Sequence, residues 1–97
     1  MTKFTTRVEL HSATPEDYEE LHTAMKAEGF LRTIKSDDGK LYELPTAEYN
    51  KLGNYTIKQV FDSAVRAAKK TGKSHGVIVS EAVSRKWIGL IEVETEY

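Results

Sequence analysis

Near the start of the chain the apolar period changes once, from two to about 3.6, and that change constrains the fold more than any other feature. In "KFTTRVEL" Phe4, Thr6, Val8 and Leu10 alternate with Thr5, Arg7 and Glu9. Period two with β-branched content is a half-buried strand, one face on a core and one toward water. From Thr14 the chain reads "TPEDYEELHTAMKAEG", and Tyr18, Leu21, His22 and Met25 fall on one helical face. The junction carries its own signals. Thr14 can cap, Pro15 suits the first helical position, and Asp17 stands three residues after Thr14, as in a capping box. Gly29 supplies a left-handed stop. A strand that leads straight into a helix sends the chain back over one face of a sheet, so a layered α+β domain is expected.

The remaining segments follow the same grammar. "FLRTIKSDDGKLYELP" reads as two short strands around "DDG", where Asp and Gly tolerate positive φ. The polar link "TAEYNKLGN" reads as a loop. In "YTIKQVFDSAVRAAKKTG" one stripe holds Ile57, Val60, Phe61, Ala64, Val65 and Ala68, and Lys69 and Lys70 suit the negative end of the helix dipole. "HGVIVSEAV" and "WIGLIEVE" read as two final strands joined by "SRK". Strands are therefore expected over 3–11, 30–36, 40–45, 75–83 and 86–94, and helices over 15–28 and 56–71.

The order β-α-β-β-α-β-β is the split β-α-β arrangement of a ferredoxin-like sandwich with an extra C-terminal strand, one domain spanning residues 1–97. Right-handed crossovers put both helices on one sheet face and leave the other open, with Arg7, Glu9 and His11 toward it. The expected core is Val8, Leu10, Leu21, Met25, Ile57, Phe61, Val65, Val77 and Val79. Trp87, Ile88, Leu90, Ile91 and Val93 would give the last strand two apolar faces, which predicts a homodimer through the C-terminal strand.

Composition narrows the function. The chain has no cysteine, which excludes a disulfide framework and a Cys-based zinc site. No apolar run reaches membrane-spanning length and "MTKFTTRVEL" has no signal-peptide core, so a cytoplasmic protein without membrane contact is expected. Fourteen basic residues stand against fifteen acidic ones, so any affinity for nucleic acid must come from a local patch. Neither an H-x-x-x-H pair, an EF-hand loop, nor a phosphate-binding glycine loop occurs, and no metal or cofactor is expected.

Four residues are candidates for chemistry. His22, on the apolar stripe of the first helix, is either a core histidine satisfied by one hydrogen bond or a neutral imidazole whose pKa burial has lowered into the range of a base. His11, where the first strand ends, is either a solvated loop residue or its partner in proton transfer. Arg7 and Arg32 can hold a phosphate bidentately, or Arg7 can pair with Glu9. Tyr42, Tyr49 and Trp87 can stack bases or pack.

"EDYEELHTAMKAEGFLRTIKSDDGKLYELPTAEY" resembles small bacterial and phage proteins of the GhoS family, the endoribonuclease antitoxins of type V toxin–antitoxin systems. The resemblance rests on "RVELH", "DYEELHTAM", the "GF" that opens a short strand, and the "DDGKLYELPTAEY" hairpin. It covers about the first half of the chain; the second half agrees in order of elements. It implies a ferredoxin-like fold similar to the CRISPR adaptation nucleases, a homodimer in some members, and cleavage of a toxin messenger RNA. Those nucleases hold a metal with an acid at the end of the first strand, where this chain has Glu9 and His11. Where an arginine stands in the antitoxin's first helix, this chain has His22.

Three readings follow. The first is a metal-independent endoribonuclease, His11 and His22 transferring protons and Arg7 or Arg32 holding the phosphoryl oxygens of single-stranded RNA. The second is a non-catalytic dimeric module that binds a protein or small ligand. The third is an RNA binder that sequesters without cleaving. Geometry separates them: imidazoles within one small-molecule span favour the enzyme, and imidazoles on opposite faces favour a module.

Overall fold

The structure, a computed structural model, describes residues 1–97. Strand β1 (Thr2–Leu10) leads to helix α1 (Pro15–Ala27), and short strands β2 (Thr33–Lys35) and β3 (Leu41–Glu43) precede β4 (Glu48–Gly53). Helix α2 (Ile57–Lys69), β5 (His75–Ala82) and β6 (Glu92–Val93) complete the chain. The capping box at α1 forms: the Asp17 carboxylate accepts from the Thr14 amide at 2.8 Å and the Thr14 hydroxyl accepts from the Asp17 amide at 3.3 Å. Thr56 and Gln59 build a second box at α2. No helix is long and apolar enough to cross a membrane.

The strands form two three-stranded antiparallel sheets, ordered β4-β1-β5 and β2-β3-β6. In the first, Thr6 lies opposite both Tyr49 and Val79. One backbone pair joins the sheets: Leu31 and Asn50 exchange hydrogen bonds of 2.8 and 2.7 Å. Phe4, Val8 and Leu10 of β1 face the helices and are buried with Leu21, Ala24 and Met25 of α1 and Val60, Ala64, Ala67 and Ala68 of α2. Full burial of a side chain such as Leu21 contributes about 1.5–3 kcal/mol.

Several expectations need correction. Residues 46–54, read as a loop, contain β4, the neighbour of β1. Its burial is polar: Asn50 and Lys51 are buried, and Lys51 lies between the Phe30 and Tyr55 rings while donating to the Glu28 carbonyl at 2.6 Å. Polar groups buried with partners leave no hydropathy period to read. The stretch 86–94 is a strand only at Glu92–Val93, which pairs with β3. Gly89 adopts φ 78° and Ile88 is 95 % exposed, so the two apolar faces expected to carry a homodimer through the C-terminal strand do not form.

The buried stripe of α2 is also rotated from the expected one. Ile57 and Phe61 are 46 % and 42 % exposed, and Ala67 takes part in the core instead. The alanines let α2 lie close to the sheet, while Arg66, bound to Glu28 at 3.1 Å, fixes the side that faces the end of α1. Val77 and Val79 pack on the core but remain half-buried, because β5 is an edge strand. Finally, the open face is partly covered by the chain itself: Arg85 reaches back over it to Thr5.

Candidate functional site

One of the four candidate residues, His22, gains a close partner from a distant strand. His22, half-buried on α1, places Nδ1 2.6 Å from the Tyr49 hydroxyl of β4. Burial, with the positive charge of Arg32 second, lowers the His22 pKa below its usual 6.5 and favours neutral imidazole. Burial likewise raises the Tyr49 pKa, so the phenol keeps its proton. Arg32 rests its guanidinium over the Tyr97 ring, 5.6 Å from the centroid.

His11 and Arg7 stand elsewhere. His11 is exposed beside Glu9, Nδ1 to Oε1 3.5 Å, at the end of β1. Arg7 pairs across the sheet with Glu48 at 3.3 Å, and not with Glu9. Since Tyr49 lies opposite Thr6, His22 meets the sheet near residue 6, on the helix side. His11 lies five residues further along, roughly 16 Å at the rise of a strand, beside Glu9 of the open face. The two imidazoles do not converge. No group of three or more His, Asp or Glu side chains is placed to share a metal ion.

A different constellation occupies the open face. A cleft of about 570 Å³ lies between the β4-β1 part of the first sheet and the β2–β3 hairpin. Its cationic side chains are Lys3, Lys35, Arg85 and Lys86, and its aromatic ones Tyr42 and Trp87. These two rings meet edge to face, centroids 5.9 Å apart. Asp37 and Asp38 line the hairpin side. Asp38 is engaged locally: its carboxylate accepts from the Ser36 hydroxyl and, at 3.3 Å, from the Lys40 amide, bonds that hold its pKa below the usual carboxylate range.

Arg85 is the distinctive member. Its Nη1 donates to Asn50 Oδ1 at 2.8 Å and to Thr5 Oγ1 at 3.2 Å, and no carboxylate lies within 4 Å of it. Burial lowers its pKa, yet a guanidinium remains charged at any ordinary pH. A half-buried guanidinium with only neutral oxygens as partners keeps the capacity to pair with an anionic group. Asn50 fixes it, because that buried side chain also donates through Nδ2 to the Thr33 carbonyl at 3.1 Å. The segment Arg85–Trp87 also borders a second hollow of about 230 Å³, partly walled by Leu44, Pro45 and Leu90.

Sequence reasoning read Arg85 and Lys86 as a connector and placed Asn50 in a loop. The available signal was "RKW", two adjacent cations followed by an aromatic residue. Comparison with protein-family models, with curated proteins and with solved structures finds no match.

Proposed function

We propose that this chain is an RNA-interacting protein of the GhoS-like kind on a ferredoxin-like frame, and that it holds single-stranded RNA in the cleft between its open sheet face and the β2–β3 hairpin. The frame is supported by strand order. β5, β1, β4 and then Leu31 follow one another, and α1 and α2 share a core on one face, as in the split β-α-β pattern. The β2–β3 hairpin builds the far wall of the cleft through Ile34, Lys35, Asp37 and Tyr42, and β6 pairs with β3.

The observation that carries the binding reading is the uncompensated Arg85. A phosphodiester supplies the countercharge that Thr5 and Asn50 lack, in the bidentate geometry a guanidinium prefers. Lys3, Lys35 and Lys86 add attraction around it, and Tyr42 and Trp87 offer ring surface to a base. Stacking needs an unpaired base, so single strands fit and duplexes do not. The reading is retention without scission, because the imidazoles assigned to proton transfer lie on opposite sides of the first sheet and neither lines this cleft.

Titrating a labelled single-stranded RNA with the nuclease-free protein tests this. Binding should weaken at least ~10-fold in Arg85→Ala and in the Lys35→Ala/Lys86→Ala double variant, about 1.4 kcal/mol, with the RNA recovered intact. Absence of binding by the parent chain, or binding unchanged in both variants, overturns the proposal. Cleavage that His22→Gln abolishes would restore the nuclease reading.

A further inference from the structure

Outside the cleft, one edge of β5 is left without a partner strand. β5 pairs with β1 alone and ends the sheet. Its bonding phase is fixed at one end, where the His11 amide donates to the Ser74 carbonyl at 2.8 Å. Even-numbered positions of β5 therefore bond to β1, and the backbone groups of His75, Val77, Val79 and Glu81 point off the edge. "HGVIVSEA" contains no Lys, no Pro and no bulge, the usual devices that keep an edge from pairing. Ile78 is 63 % exposed on the open face.

Helix α2 extends this edge on the other face. Phe61 lies roughly 140° round the helix from Arg66 at 3.6 residues per turn, and Arg66 marks the side toward the end of α1. The exposed Ile57 and Phe61 and the half-buried Val65 thus flank β5, next to its open edge.

We propose that this edge is a self-association surface: β5 pairs antiparallel with β5 of a second copy about a two-fold axis through Ile78. The occupant follows from the sequence of the edge read against itself. With the axis at Ile78, Val77 lies opposite Val79 of the second copy, and His75 lies opposite its Glu81, each pair occurring twice. Ile78 meets its own equivalent on the open face. Moving the axis to Val79 sets Glu81 against Val77 and His75 against Val83, and moving it to Val77 shortens the overlap. The Ile78 register alone matches apolar to apolar and imidazole to carboxylate. In it the two α2 helices lie on the same face of a continuous six-stranded sheet, Phe61 and Val65 facing across the seam. The cleft, on the β4 side, stays free, so this surface is independent of RNA binding.

The chain is free of cysteine, which permits a register-specific test. Ile78→Cys and Ser80→Cys each introduce one thiol. At the axis the two Cα atoms stand about 4.5 Å apart, within disulfide reach, whereas positions 80 lie four residues out of register. Oxidation should convert Ile78→Cys to covalent dimer at least ~10-fold faster than Ser80→Cys. Wild-type protein should sediment as a dimer at ~100 μM, a concentration generous for a specific interface. Ile78→Lys with Phe61→Asp, both exposed, should be monomeric with an unchanged circular dichroism spectrum. A wild-type monomer at that concentration, equal cross-linking of the two thiols, or a dimer that survives the double substitution overturns the proposal.

Discussion

The imidazole of His22 and the hydroxyl of Tyr49 share a 2.6 Å hydrogen bond that ties α1 to β4, the strand whose burial is largely polar. This bond suits neutral imidazole, and it couples stability to pH. The folded-state pKa of His22 lies below 6.5, so below that value the unfolded chain binds more protons and stability falls with falling pH. Urea unfolding at pH 7.5 and pH 5.5 should show this loss in the parent chain and a smaller one in His22→Gln. Tyr49→Phe should cost about 0.5–1.5 kcal/mol at pH 7.5, the contribution of one ordinary hydrogen bond.

The rotated stripe of α2 makes a contrast within one experiment. Leu21 is fully buried and Phe61 is 42 % exposed. Leu21→Ala should cost about 2–5 kcal/mol and Phe61→Ala less than half of that. The opposite order in denaturant melts would place the larger residue in the core.

Thr56 accepts from the Gln59 amide at 3.1 Å, and Gln59 answers by accepting from the Thr56 amide at 2.9 Å. Thr56→Ala should destabilise the protein by about 1 kcal/mol, and Thr56→Asn by much less, since Asn also caps. Thermal melts of the two variants check the difference.

Charge in the cleft sets how salt acts on RNA binding. Each phosphate neutralised on a single strand contributes a slope of about −0.7 in log affinity against log salt. Lys86→Ala should weaken binding at low salt and make the slope shallower by about that amount. Trp87→Ala should weaken binding by a stacking contribution of about 1–3 kcal/mol and leave the slope unchanged.

What the sequence disclosed depended on whether its signals were local. β1 and α1 were legible because alternation, cap and helical stripe all lie within the first 27 residues and agree. The hairpin turn was legible too, with Gly39 at φ 87°. β4 was not, since the partners of Asn50 and Lys51 come from other segments and no period survives their burial. In α2 the large side chains dominated the reading, while packing chose the alanines. The site escaped for a related reason. Arg85 takes its meaning from Thr5, 80 positions away, and from Asn50, 35 away, so neither its burial nor its lack of a carboxylate is written beside it. The stripe of α1 placed His22 toward the sheet, but nothing local pointed to Tyr49, 27 positions away.

The Leu31–Asn50 pair is the lone backbone rivet between the two sheets, and a lone rivet behaves as a hinge pin. Parting sheet β2-β3-β6 from the ladder between β4, β1 and β5 would break this pair and the bond from Asn50 Nδ2 to the Thr33 carbonyl, but no second row of backbone bonds. The amides of Leu31 and Asn50 sit on the pin itself, so their exchange with solvent deuterium marks the moment at which the two halves part company.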